Sequence, residues 1–170
     1  VVRSGLLFTD IAENVETLIL ERGALQARGR DAAETMIGND SANSLSGAGG
    51  DDTLLGGLGN DTLNGGAGRD ELIGGEGQDR ADYSAAASGV TADLADPLSN
   101  AGEAAGDRYA GIEELRGSRD DDVLLGDAID NVLIGQRGAD TLRGRAGADT
   151  LDGGRGGDIL EGGPGDDVLR

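Results

Sequence analysis

From Gly38 the chain falls into a nine-residue period, and that period constrains the fold more than any other feature. Five consecutive units run to Asp82: GNDSANSLS, GAGGDDTLL, GGLGNDTLN, GGAGRDELI and GGEGQDRAD. Six more run from Gly117 to Arg170: GSRDDDVLL, GDAIDNVLI, GQRGADTLR, GRAGADTLD, GGRGGDILE and GGPGDDVLR. Position one is Gly in all eleven, and position four is Gly in eight, the exceptions being Ser41, Asp120 and Ile129. Position six is Asp in nine and Asn in two; position eight is Leu in ten and Ala81 in the other. A unit this short cannot bury a core alone, so its stability must come from stacking on its neighbours. Positions seven to nine suit a short strand with position eight turned inward. Leu54, Leu63 and Leu72 then face a core, while Thr53, Thr62 and Asn64 face water. The six residues before each strand reverse the chain, and glycine there tolerates positive φ and close backbone approach. Two units make an 18-residue coil with a turn at each edge, and stacked coils sit about 4.8 Å apart. The fold class is all-β, a solenoid of parallel strands.

The repeat resembles the RTX, or hemolysin-type, calcium-binding nonapeptide G-G-x-G-x-D-x-U-x, with U aliphatic. The resemblance implies a right-handed parallel β-roll with calcium in its turns, and export by a type I secretion system from a bacterium. Composition agrees with a need for cations. There are 33 acidic residues against 14 basic ones, a net charge of −19. An acidic chain with 2% aromatic residues would otherwise read as disordered.

Turns on one edge are 18 residues apart, so position-six residues stack in columns. The expected metal-binding side chains are Asn43, Asp52, Asp61, Asp70, Asp79, Asp122, Asn131, Asp140, Asp149, Asp158 and Asp167. Calcium takes six to eight oxygens, carbonyls included, so the carbonyls near Gly47, Gly49, Gly56, Gly65, Gly74, Gly135, Gly144, Gly153, Gly154 and Gly162 complete the set. The stacked pairs are 43/61, 52/70 and 61/79, then 122/140, 131/149, 140/158 and 149/167, which gives about seven calcium sites. Pairs with Asn43 or Asn131 lack one charge and should be weaker, and Ile129 makes the turn of its unit unusual. Seven divalent ions would bring −19 to −5.

Residues 1–37 admit two readings. Asp10 and Glu13 resemble a helix capping box, with Ile11, Val15, Leu18 and Ile19 at helical spacing and Gly23 as a stop. Alternatively Val15–Leu20 is a strand, with Leu18 and Leu20 alternating, and GRDAAETMI at 29–37 is a degenerate unit with Glu34 in the acid column. The preferred reading is a metal-free cap made of strands; Asn14–Leu20 resembles an NVExLxL segment of RTX proteins. The domain order is then cap 1–37, first block 38–82, linker 83–116 and second block 117–170. In the linker Val90, Ala92 and Leu94 alternate like a strand, Pro97 to Gly106 form an exposed loop, and register returns at 108–116 with Glu113 and Leu115 in the acid and inward columns. GVTADL and GIEELRGS resemble segments found between RTX blocks. A continuous roll with an enlarged loop is preferred over two flexibly joined rolls.

Catalysis is not expected. Without His or Cys the chain has no imidazole base, no thiol nucleophile and no thiolate metal site. GGRGG at 153–157 lacks the Lys-Ser/Thr of a phosphate loop. The negative balance disfavours nucleic acid as a partner, and no apolar run reaches the roughly 20 residues of a membrane span. With no initiating Met and no signal peptide, the sequence reads as part of a longer secreted, extracellular product. Three function classes remain: a calcium-dependent folding and secretion module, a structural or adhesive surface repeat, and a module that binds acidic polysaccharide. The last rests on Arg119, Arg137 and Arg155. They share position three at 18-residue spacing, a row suited to carboxylates.

Overall fold

In the computed structural model, residues 1–5, 8–10 and 12–170 are described; Ile11, one of the apolar residues of the helical reading, lies outside them. The chain divides into two units, Val1–Ala81 with Asp107–Ile112, and Asp82–Gly106 with Glu113–Arg170. Each is a β-roll of short parallel strands.

In the first unit one sheet contains Val2–Ser4, Thr17–Leu20, Thr35–Ile37, Thr53–Leu58, Glu71–Glu76 and Arg108–Ala110. The other contains Phe8–Asp10, Gln26–Arg28, Ser44–Gly49, Thr62–Ala67 and Arg80–Asp82. Register advances by 18: Thr35 pairs Thr53, Thr53 pairs Glu71, and Ser44 pairs Thr62. Residues 17–20 are a strand, not helix, with Leu18 and Leu20 buried. Their period-two burial is what alternating apolar residues require of a strand.

In the second unit one sheet contains Thr91–Asp93, Val123–Leu125, Thr141–Arg143 and Ile159–Glu161. The other contains Glu114–Arg116, Val132–Ile134, Thr150–Asp152 and Val168–Leu169. Between Asp93 and Arg108 the chain makes two short 3₁₀ turns, Pro97–Ser99 and Gly102–Ala104. No helix among the described residues is long and apolar enough to cross a membrane.

The core of each roll is a ladder of inward position-eight side chains. Leu54, Leu63, Leu72, Leu124, Leu133, Leu142 and Leu151 are all fully buried. Burying a Leu contributes roughly 2 kcal/mol, so the ladder is thin and every coil depends on the next. At the C-terminal end Leu169 is 46% exposed.

Several registers depart from 18: Val2 pairs Leu18, a step of 16, and two longer steps follow. Asp107 follows Asp70 by 37 residues, and Asp122 follows Val90 by 32. Arg108–Ala110 pairs with Glu71–Ile73, which puts Tyr109 opposite Leu72. Only three residues, Gly111–Glu113, then separate that strand from Glu114–Arg116.

Candidate metal centre

All seven expected pairs of position-six residues are brought together, through the backbone. The N–H of Asn43, Asp52, Asp61, Asp122, Asn131, Asp140 and Asp149 donates to Oδ1 of the acid 18 residues later, at 2.7–3.0 Å. One oxygen of each upper acid is therefore committed to a peptide, and the carboxylates do not confront each other as column stacking alone suggests. Asp52, Asp61, Asp70, Asp79, Asp122, Asp140 and Asp149 are buried; Asp158 and Asp167, in the last coil, are half-buried.

The other oxygen is the unusual one. Oδ2 of Asp52, Asp61, Asp70, Asp140 and Asp149 is buried and has no hydrogen-bond partner. Each lies over the glycine at position one of its own unit. A Cβ on Gly47 would collide with Oδ2 of Asp52 and lie 2.6 Å from the carbonyl oxygen of Gly65. On Gly56 it would collide with Oδ2 of Asp61 and lie 2.6 Å from the carbonyl of Gly74. On Gly144 it would meet Asp149 in the same way, 2.7 Å from the carbonyl of Gly162. The missing side chain thus leaves a cradle faced by a carboxylate oxygen and a carbonyl of the next coil. Gly135 and Gly153 floor the cradles of Asp140 and Asp158. Gly49 is tied into a parallel bridge with Asp31, and Gly154 holds a left-handed position two, φ +85°. A buried anionic oxygen without a donor is costly, and a hard cation with oxygen ligands relieves that cost. Among the described residues no group of three or more acidic side chains gathers at one point. Peptide carbonyls must therefore supply much of any ion's shell.

Burial drives the carboxyls upward in pKa. Asp52 is pushed to about 7 by burial, reinforced by the nearby Asp70, Glu34 and Asp51 charges. Burial takes Asp61 and Asp140 to about 6, and raises Asp70, Asp79, Asp122 and Asp149 as well. Groups raised on folding hold more protons in the folded state. Their stabilising contribution is complete below the ordinary carboxyl pKa near 4 and is lost as pH rises through about 6–7. The metal-depleted roll is expected to gain β structure on acidification from pH 7.5 to 4.5. With calcium bound the trend reverses, because protons compete for the same oxygens. Circular dichroism of metal-stripped and calcium-loaded protein across that range checks it, and parallel trends would contradict it.

Five stretches match the model of the RTX calcium-binding nonapeptide repeat (four copies): residues 28–63, 46–81, 109–142, 125–160 and 134–169. Merged, they cover 28–81 and 109–169, more than half of the chain. The chain belongs to the RTX calcium-binding repeat family. A search of the curated proteins finds no match. The RTX match begins ten residues before Gly38, and the degenerate unit there behaves like the others. Glu34 stands in the acid column, its N–H donating to Oδ1 of Asp52 at 2.8 Å. Its carboxylate is held by Arg30 at 2.9 Å.

Sequence reading missed Asp107. Its Oδ1 accepts the N–H of Asp70 at 2.9 Å, the same bond that position-six acids make elsewhere in the RTX units. The signal was present in Asp107-Arg-Tyr109, an acid two residues before a large inward side chain. Arg119, Arg137 and Arg155 are exposed, and Arg137 and Arg155 form a parallel bridge. They take part in none of the ion pairs among the described residues; Arg30, Arg69, Arg143 and Arg145 do.

Proposed function

We propose that this chain is a calcium-triggered folding module of a larger, type I-secreted bacterial exoprotein, disordered inside the cell and folded outside it. Bound calcium supplies positive charge and oxygen coordination to the turns. Position-six carboxylates hold it, position-one glycines make room for it, and carbonyls of the next coil complete its shell. The observation that carries the reading is the set of buried, unpartnered Oδ2 atoms, each over a glycine, with a carbonyl of the next coil beside those of Asp52, Asp61 and Asp149. The module is structural and not catalytic. A calcium titration tests the trigger: half-saturation should fall at about 10⁻⁴–10⁻³ M, as for extracellular modules. Half-saturation near 10⁻⁷ M would mean folding in the cytosol and would overturn it.

The exposed arginine row supports a second reading, contact with an acidic polysaccharide or cell surface. The matching position-three residues on the other edge are Ala128, Ala146 and Pro164, so the row is confined to one side. The calcium-loaded protein is expected to bind polyuronate oligomers at low salt, and a triple Arg119→Ala, Arg137→Ala, Arg155→Ala variant to lose that binding. Undiminished binding by a folded triple variant would remove the reading.

A further inference from the structure

The turns are of two kinds. In one, the residue at position two has left-handed φ: Ala48 +78°, Gly57 +116°, Gly66 +93°, Gly75 +115°, Gln136 +78°, Arg145 +77°, Gly154 +85° and Gly163 +107°. That conformation turns its peptide away from the acid. In turns 38–43, 117–122 and 126–131 position two is not left-handed, and its N–H closes on the side chain at position six. Asn39 donates to Oδ1 of Asn43 at 2.7 Å, Ser118 to Oδ2 of Asp122 at 2.7 Å, and Asp127 to Oδ1 of Asn131 at 2.8 Å.

In these closed turns the side-chain oxygens at position six are already engaged. Oδ1 of Asp122 accepts from the Val90 N–H at 2.8 Å and from the Ser118 hydroxyl at 3.0 Å, so both its oxygens are satisfied. Nδ2 of Asn131 is a buried donor without an acceptor, where a site would need oxygen.

In turns 117–122 and 126–131 carbonyls are taken too, by side chains from the coil above. Nε2 of Gln136 donates to the carbonyls of Gly117 and Ser118, and its Oε1 accepts from Arg116 at 3.1 Å. Arg145 donates to the carbonyl of Gly126 and makes two parallel bonds of 2.7 Å to Asp93. Asp93 is 2% exposed, and its carboxylate also caps the start of the enlarged loop through the N–H groups of Ala95 and Asp96. The guanidinium therefore faces a buried carboxylate and a position-one carbonyl, the pair of groups that the open cradles present. In the first unit the Asn39 side chain acts one coil earlier, donating to the carbonyls of Glu21 and Ala24 at 3.0 and 2.7 Å.

We infer that Gln136 and Arg145 stand in for calcium in turns 117–122 and 126–131, and that the chain binds four calcium ions, at the pairs 52/70, 61/79, 140/158 and 149/167, where both turns are open. The inference rests on the calcium reading above. It removes 43/61, 122/140 and 131/149 from the seven sites expected from column spacing. Arg145 becomes a resident cation that pins the 94–106 loop to its folded roll in place of a calcium ion. Four ions bring the net charge from −19 to −11.

Equilibrium dialysis against radiolabelled calcium, with magnesium in excess, counts the ions. The wild type should take up four. Asn131→Asp should also take up four, because Arg145 and the Asp127 N–H still close its turn. Any other wild-type count, or a rise in the variant, overturns the inference; no binding at all takes down the calcium reading itself. Arg145→Gln supplies a second measurement, hydrogen exchange of residues 93–106 in the calcium-loaded protein. Exchange should accelerate at least tenfold, and unchanged exchange overturns the clamp.

Discussion

Gly56→Ala is expected to destroy calcium-induced folding of the first unit, whereas Gly157→Ala is expected to leave the protein as it was. Gly56 sits at position one, and its φ is not left-handed. The objection to a side chain there is space. A Cβ would overlap Oδ2 of Asp61 and crowd the carbonyl of Gly74, both backbone-anchored. Relief requires moving Asp61 off its cradle, which also strains the Asn43 N–H bond to its Oδ1 at 2.7 Å, or spreading two coils. Either route costs on the order of 4 kcal/mol, the range reached by loss of a metal or overpacking. Gly157 occupies position five with nothing within 4 Å of its would-be Cβ. Thermal unfolding of both variants in saturating calcium gives the comparison. Equal stability would show that the position-one glycines are not making room for the acid and its ion.

The period made the roll readable because one physical rule acts at each column. Strand alternation buries position eight, so Leu54 or Leu133 could be placed inward from spacing alone. The acid column was equally legible, since any residue 18 later lands above. What spacing could not convey is which atoms meet. The Oδ1 bond to the peptide below, and the unpartnered Oδ2, depend on a rotamer and not on a period. Glycine hid a second distinction. Position one needs it for space, as at Gly47, while positions two and four need it for left-handed backbone, as at Gly57 and Gly59. Both look the same as letters. The closed turns were half visible. Asn43, Asn131 and Ile129 broke the pattern, but Asp122 fits the acid column and is nonetheless satisfied by Ser118 and Val90. Asp107 was lost because a three-residue turn and a long loop shift the count, so that nine no longer predicts register. Arg145, whose bond to Asp93 spans 52 residues, is a contact that no local pattern announces.

Removal of calcium is expected to melt the rolls. The chain carries −19, and folding forces Asp52, Asp61, Asp70, Asp140 and Asp149 to bury carboxylate oxygens that find no donor. Desolvating an unpaired polar or charged group costs at least several kcal/mol, and a domain's whole margin is only about 5–15 kcal/mol. The Leu ladder cannot carry such a load several times over. Magnesium should rescue poorly, because it demands a tight octahedral shell and keeps its own water. Far-UV circular dichroism of the chain in excess chelator, and again after addition of millimolar calcium, tests this most directly. The expected result is a largely disordered spectrum that converts to β structure on calcium addition, with little conversion by magnesium. A β spectrum already complete in chelator and unchanged by calcium would contradict the account.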